Sequence, residues 1–115
     1  MRRGEICDVD LDPGRGSESN KRRPAVIVSN DSANEIAERL GRGVITVVPV
    51  TSNIERIYPF QTMLPASGTG LPRDSKAQSE QVRSVDVARV GARLGTVPGT
   101  IMAQIDEALR VHLAL

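Results

Sequence analysis

The chain has no tryptophan, one tyrosine and one phenylalanine. Its core must therefore be aliphatic, and it has almost no material for the aromatic platforms on which single-stranded nucleic acids stack their bases. Any contact with nucleic acid rests on charge and shape. A single cysteine, Cys7, excludes an internal disulfide and any cysteine-based zinc cluster, and it fits a reducing cytoplasm. With one histidine, His112, no pair stands at metal-ligand spacing. A phosphate-cradling glycine motif followed by Lys and Ser or Thr is missing, and so is a dinucleotide glycine fingerprint. No apolar run approaches the ~20 residues that span a bilayer, and Met1-Arg2-Arg3-Gly4-Glu5 leads into an alternating segment rather than a secretory apolar region. The expectation is a soluble, cytoplasmic protein with no membrane association, metal or cofactor. The net charge of +1 is no domain-wide basic footprint. Lys21, Arg22 and Arg23 form the densest local cationic run, with Arg15 just upstream.

What is present suits one compact domain spanning residues 1–115, with 39% apolar side chains to build a single core. The central stretch is Arg22-Arg23-Pro24-Ala25-Val26-Ile27-Val28. Its short, β-branched apolar run predicts a strand buried on both faces, with Pro24 at the first position, where no ladder bond is needed. Val44 to Val50 predicts a second such strand, which turns hydroxylated at Thr51 and Ser52. If the two strands are neighbours, Arg23 and Thr51 meet at the rim of one sheet.

The remaining elements follow in order. Glu5 to Leu11 alternates as a half-exposed strand ended by Asp12-Pro13-Gly14, and Gly14 to Asn20 predicts a mobile loop suited to a lid. Ser29-Asn30-Asp31-Ser32 offers caps for a short helix over Ala33 to Leu40, stopped by Gly41. Short strands are predicted at Phe60 to Leu64, at Lys76 to Val85 with Gln78, Glu80 and Arg83 on one face, and weakly at Ala92 to Val97. A long loop, Pro65 to Asp74, separates the first two of these. From Pro98, placed to sit in a first helical turn, the period becomes helical. Ile101, Met102, Ile105, Ala108, Leu109 and Leu113 share one face, while Asp106, Glu107 and Arg110 lie opposite. The predicted architecture is mainly β: a small, strongly curved sheet or open barrel capped by a C-terminal amphipathic helix.

The chemistry on offer is arginine, hydroxyl and carboxylate at loop and strand ends: Glu18, Arg23, Thr51, Ser52 and Glu80. This set suits phosphodiester chemistry on RNA, which carries its own nucleophile in the 2′-hydroxyl. Such a site must take the 2′ proton, hold the phosphorane charge and protonate the leaving 5′ oxygen. Arg23 suits the charge role first and proton donation second, because its pKa is very high. The plainer alternatives are an edge charge at Arg23 and turn chemistry at Thr51. His112, within the apolar stripe, reads as a packed or interface residue, and Cys7 as a small core residue.

In order along the chain, several pieces together resemble the MazF/PemK toxins of bacterial toxin–antitoxin systems. They are Arg3-Gly4-Glu5-Ile6, Asp10-Leu11-Asp12-Pro13, Gly16-Ser17-Glu18, Arg23-Pro24-Ala25-Val26, Val48-Pro49-Val50-Thr51-Ser52, Tyr58-Pro59-Phe60 and Glu80-Gln81-Val82-Arg83-Ser84. The resemblance implies an SH3-like small barrel and a homodimer. It also implies a metal-independent endoribonuclease that cuts single-stranded RNA at a short sequence, leaving 2′,3′-cyclic phosphate and 5′-hydroxyl ends. A MazE-like antitoxin, with a disordered acidic and apolar tail, is implied as the silencing partner. By resemblance to the MazF branch, the catalytic residues fall on Arg23, Thr51 and Glu18. Lys21, Arg22, Ser52, Asn53, Glu80 and Gln81 are candidate RNA contacts. Cys7 stands where many members have an aromatic residue, and Ser17 and Gln78 stand where the PemK branch uses His and Arg, which favours the MazF arrangement.

Two other functions compete. CcdB toxins look similar in fold yet poison DNA gyrase by contact alone, but they lean on a C-terminal tryptophan and this chain closes Leu113-Ala114-Leu115. The blander alternative is a barrel that binds RNA or peptide without cleaving anything.

Overall fold

Two prolines inside apolar runs shape the sheet. The computed structural model describes residues 1–115. It contains seven strands, β1 (Glu5–Asp10), β2 (Arg22–Ile27), β3 (Val44–Thr51), β4 (Gln61–Leu64), β5 (Ser75–Gln78), β6 (Arg83–Asp86) and β7 (Val90–Thr96), with helices α1 (Asp31–Leu40) and α2 (Gly99–Leu113). All pairings are antiparallel. The strand order is β4-β5-β3-β2-β1-β7, with β6 also paired to β3. This is the expected mainly-β fold with a terminal helix, and its sheet is open, with β4 and β7 at the ends of the path.

Backbone groups of successive strand residues turn alternately to the two neighbouring strands. The carbonyls of Lys21 and Ile27 accept from Leu11 N–H at 2.9 Å and Gly4 N–H at 2.8 Å, on the β1 side, so Pro24 turns to β3. The β2–β3 ladder begins at Ala25↔Pro49, one residue past Pro24, and the missing N–H breaks no bond. The strand starts two residues before Pro24 because Arg22 and Arg23 pair with Asp10 and Val9 of β1.

Pro49 acts similarly on the far side of β3. The carbonyl of Thr46 turns to β2, accepting from Val28 N–H at 2.9 Å, so Pro49 turns the other way. On that side the pairing with β6 ends at Val47↔Arg83 and the pairing with β5 begins at Val50↔Ala77. Pro49 has no N–H to give and occupies the gap. Opposite it, Ser79–Gln81 coil into a 3-10 turn. The continuous strand expected from Lys76 to Val85 is therefore two strands, and the expected common face of Gln78, Glu80 and Arg83 does not form. β7, expected as a weak strand from Ala92, begins at Val90 and pairs with β1.

Alternation along β2 and β3 feeds two apolar clusters, so both faces are buried as expected. Val26 and Val48 join Ile6, Leu64, Leu71 and Ile105 in one. Ala25, Ile27, Ile45 and Val47 join Val9 and Leu11 in the other, beneath Ala37 of α1. Asn30 caps α1 by accepting from Ala33 N–H at 2.9 Å, and Gly41 ends it at φ 65°. Fully buried Asn34 donates to the Ser29 carbonyl at 2.9 Å, while Ser29 Oγ accepts from Thr46 N–H at 3.1 Å, which ties α1 to β3.

α2 closes the first cluster with Ile105, Ala108, Ile101, Met102 and Leu109. Pro98 sits at its cap rather than inside its first turn. At 1.5 Å per residue this helix runs about 22 Å, past the end of the core it covers. Its last turn, with Val111, His112 and Leu113, is exposed, so neither Leu113 nor His112 packs within the chain. No helix is long and apolar enough to cross a membrane.

Glu5 fastens β1 to β7, accepting from Arg2 N–H at 2.7 Å and from the Arg93 guanidinium at 3.0 Å. Burial, the largest influence, would raise its pKa, but the Arg2 N–H and Arg93 together outweigh it and hold the carboxyl below its ordinary value of 4.5. The unfolded chain thus binds this proton more readily, so the stability Glu5 supplies is present above about pH 4.5 and is lost as the pH falls through the lower folded value. Urea titrations between roughly pH 5 and 3 should show a shallower loss of stability in Glu5→Gln than in the wild type; parallel curves would show that Glu5 carries no linkage. In the core, Ile105→Val should cost about 0.5–1.5 kcal/mol and Ile105→Ala about 2–5 kcal/mol by urea denaturation, a graded series that a loosely packed helix would not give.

Candidate RNA-cleavage site

The β2–β3 register, continued two residues beyond its last pair, sets Arg23 opposite Thr51. Both lie on the face that carries Ala25, Ile27, Ile45 and Val47, just past the end of the β2–β3 ladder, where β3 pairs with β5 on its other edge. There they line one cavity of about 220 Å³ together with Ser52, Arg73 and Ser75. Pro24, Val50, Leu71 and Pro72 form its apolar wall. Arg23 is half-buried, and its Nε donates to the Asn20 carbonyl at 2.8 Å, which aims the guanidinium and leaves its terminal amino groups for a ligand. Thr51 Oγ1 accepts from Asn53 N–H at 3.2 Å, so the hydroxyl proton remains free to donate. Asn53 itself is engaged in the turn, its side-chain oxygen accepting from Glu55 N–H at 3.3 Å.

Glu18, Glu80 and Gln81 lie elsewhere. With Ser19, Val82 and Arg83 they line a second cavity of about 330 Å³ that shares no lining residue with the first. Glu18 is thus not brought into the pocket of Arg23 and Thr51. One Glu80 oxygen accepts from Gln61 Nε2 at 2.6 Å, and the other, Oε1, is buried without a partner. Gln61 in turn accepts from Tyr58 N–H at 3.1 Å.

Gln81 spends both ends of its amide on the loop from Gly14 to Asn20. Its Nε2 donates to the Ser17 carbonyl at 2.8 Å, and its Oε1 accepts from Ser19 N–H at 3.0 Å. Arg15 N–H donates to Glu18 Oε2 at 3.1 Å within the same loop. The segment expected to move freely is therefore strapped to the turn opposite Pro49, and its Asn20 carbonyl is the one that orients Arg23. The 3-10 turn, the loop and the arginine form one chain of contacts between the two cavities.

The other candidates separate by strand alternation. Arg22 turns away from Arg23 and pairs with Asp8 at 3.0 Å. Lys21 is exposed at φ 64°, its N–H donating to Asp12 at 2.7 Å. The sequence pattern misses Arg73 and Ser75, which sit at the end of the long loop and the start of β5. The one hint was Leu71, a lone apolar residue between Gly70 and Pro72 that the core must anchor. Lys76 is buried, its Nζ donating to the Arg56 carbonyl at 2.6 Å and lying 5.9 Å from the Tyr58 ring centre. No group of three or more His, Cys, Asp or Glu side chains comes together to hold a metal ion.

Similarity to known proteins extends over almost the whole chain. Residues 2–113 match the family described as PemK-like, MazF-like toxin of type II toxin–antitoxin system. The chain is 63% identical over 115 residues to the endoribonuclease MazF9 of Mycobacterium tuberculosis, covering 100% of this chain and 98% of that one. Its fold superposes on the crystal structure of MazF from Deinococcus radiodurans with a TM-score of 0.83 at 27% identity, covering 100% and 97% of the two chains. A MazE–MazF complex from the same organism matches with a TM-score of 0.74 at 25% identity, over 100% and 96%. The chain belongs to the PemK-like, MazF-like toxins of type II toxin–antitoxin systems.

Proposed function

We propose that this toxin is an endoribonuclease that cuts single-stranded RNA at a short sequence, without a metal ion, and is silenced by a MazE-like antitoxin. The observation that carries the reading is the shared cavity of Arg23 and Thr51, with a guanidinium fork and a hydroxyl proton both unspent. In the reaction the 2′-hydroxyl gives its proton to a water molecule in the open cavity, and its oxygen forms a new bond to phosphorus. The bond to the 5′ oxygen then breaks, and that oxygen takes a proton from Arg23, which regains it from the water that accepted the first. The products carry a 2′,3′-cyclic phosphate and a 5′-hydroxyl. Arg23 holds the charge that builds on the non-bridging oxygens, and Thr51 and Ser52 supply hydroxyl donors beside it.

Glu18, in the second cavity, contacts RNA rather than moves the proton, its carboxylate an acceptor for the amino edge of a base, while Glu80 shapes the same cavity with its carboxylate turned inward onto Gln61. Gln81 acts by holding the loop that carries Glu18, and Lys21 contributes charge from the loop's end. Two copies of the chain form a homodimer through exposed surface, for which the last turn of α2 offers Val111 and Leu113. The antitoxin's acidic and apolar tail occupies the RNA path, where Arg23 and the apolar wall receive it. The relative named an endoribonuclease supports the activity, and the MazE–MazF complex supports the antitoxin partner.

The test is digestion of a long, weakly structured RNA in EDTA by the wild type, Arg23→Ala and Thr51→Ala, with both ends of every fragment identified. Cleavage at one short motif with cyclic phosphate ends is expected. Arg23→Ala should lose about 10²–10³-fold or more in rate while keeping its fold, and Thr51→Ala should lose less if solvent replaces its donor. Undiminished cutting by Arg23→Ala would sink the site assignment. Intact RNA, with gyrase-dependent DNA breaks in cells, would instead favour a binding poison.

A further inference from the structure

The cavity of Arg23 and Thr51 holds a second cation. Arg73, in the segment from Pro65 to Asp74, lines the same space. Its guanidinium enters none of the ion pairs of the chain. Several other arginines are occupied: Arg3 with Asp106, Arg22 with Asp8, Arg93 with Glu5 and Arg83 with the Leu11 carbonyl. The carboxylate beside it, Asp74, is diverted to Ala66 N–H at 2.8 Å. Arg73 is thus an exposed residue at the border of the cavity, its charge paired with no carboxylate of the chain.

The segment that carries it is fixed by backbone contact rather than left as an open loop. Thr69 is 1% exposed, donates its hydroxyl to the Pro65 carbonyl at 2.6 Å, and accepts Thr96 N–H from β7 on its own carbonyl at 3.2 Å. A Cβ on Gly95 would stand 1.7 Å from that carbonyl, and a Cβ on Gly70 2.6 Å from the Leu94 carbonyl, so two glycines allow the segment to seat directly on β7. Leu71 then enters the core, and Arg73 follows two residues on.

We infer that Arg73 is a second catalytic arginine, contacting a non-bridging oxygen of the scissile phosphate from the side opposite Arg23. The inference rests on the ribonuclease reading above. Its physical basis is charge. The phosphodiester carries one negative charge, whereas the phosphorane formed after loss of the 2′ proton carries two, spread over its non-bridging oxygens. Two arginines at one cavity, with no carboxylate among its lining residues, attract the dianion more strongly than the monoanion. That difference lowers the barrier rather than only tightening substrate binding.

The experiment compares the wild type with Arg73→Ala, Arg73→Met, Arg73→Lys and, as a charge control from exposed α1, Arg39→Ala. Each is given one RNA at the site where the wild type cuts. Single-turnover rates at saturating protein should fall about 10²–10³-fold in Arg73→Ala and Arg73→Met, recover in part in Arg73→Lys, and stay near wild type in Arg39→Ala. Binding of the same RNA with a 2′-deoxy residue at the cut should weaken far less. The slope of log affinity against log salt should become shallower by about 0.7, the signature of one lost phosphate contact on a single strand. RNA cut as fast by Arg73→Ala and Arg73→Met as by the wild type overturns the inference alone. So does a loss confined to binding, with the saturated rate intact. RNA left whole by the wild type overturns the ribonuclease reading and this inference with it.

Discussion

The structure depends on one missing hydrogen-bond donor. Pro49 sits in the middle of β3 and turns its nitrogen toward the side where that strand changes partners, from β6 to β5. Because no ladder bond can form there, the opposing chain is released for three residues and coils as Ser79–Gln81. The coil presents Gln81 to the loop from Gly14 to Asn20, and the loop orients Arg23 through the Asn20 carbonyl. On the other edge of β3, the same change of direction opens the rim where Arg23 and Thr51 face one another. A single residue that breaks a strand locally thus shapes both cavities.

Much of this is legible in the sequence because it follows from burial. The doubly buried runs of β2 and β3, the caps Asn30 and Gly41, and the helical period from Ile101 to Leu109 all reflect apolar surface leaving water at a fixed spacing. The meeting of Arg23 and Thr51 follows from the same pattern, since two central strands with matching ends are natural neighbours. What escapes is contact made by the main chain or dictated from a distance. The break at Ser79–Gln81 arises on another strand, at Pro49, and nothing in Ser79-Glu80-Gln81 announces it. Arg73 reaches the cavity because Thr69 and Gly95 touch through backbone atoms, which leave no periodic trace.

The two cavities divide the labour that charge can perform. The one holding Arg23 and Arg73 is cationic with an apolar wall. Its neighbour is lined by Glu18 and Glu80, with a buried carboxylate oxygen that no protein donor reaches. A polymer with an anionic backbone and donor-bearing bases matches that alternation of sign, whereas the whole-chain balance of +1 conceals it. The proposed ligand class rests on local arrangement rather than on net charge.

The contact between Thr69 and Gly95 has a consequence for how the chain can vary. Positions 70 and 95 each meet backbone atoms across the same seam, so any side chain at either one must displace the other's segment. They lie 25 residues apart, near different ends of the fold's wiring, yet they tolerate replacement only as a pair of empty surfaces. A side chain at either position therefore acts on the segment that borders the cavity as well as on its own strand or loop. A side chain at Gly95, far in the linear sequence from Arg23 and Thr51, reaches their cavity by pushing one loop.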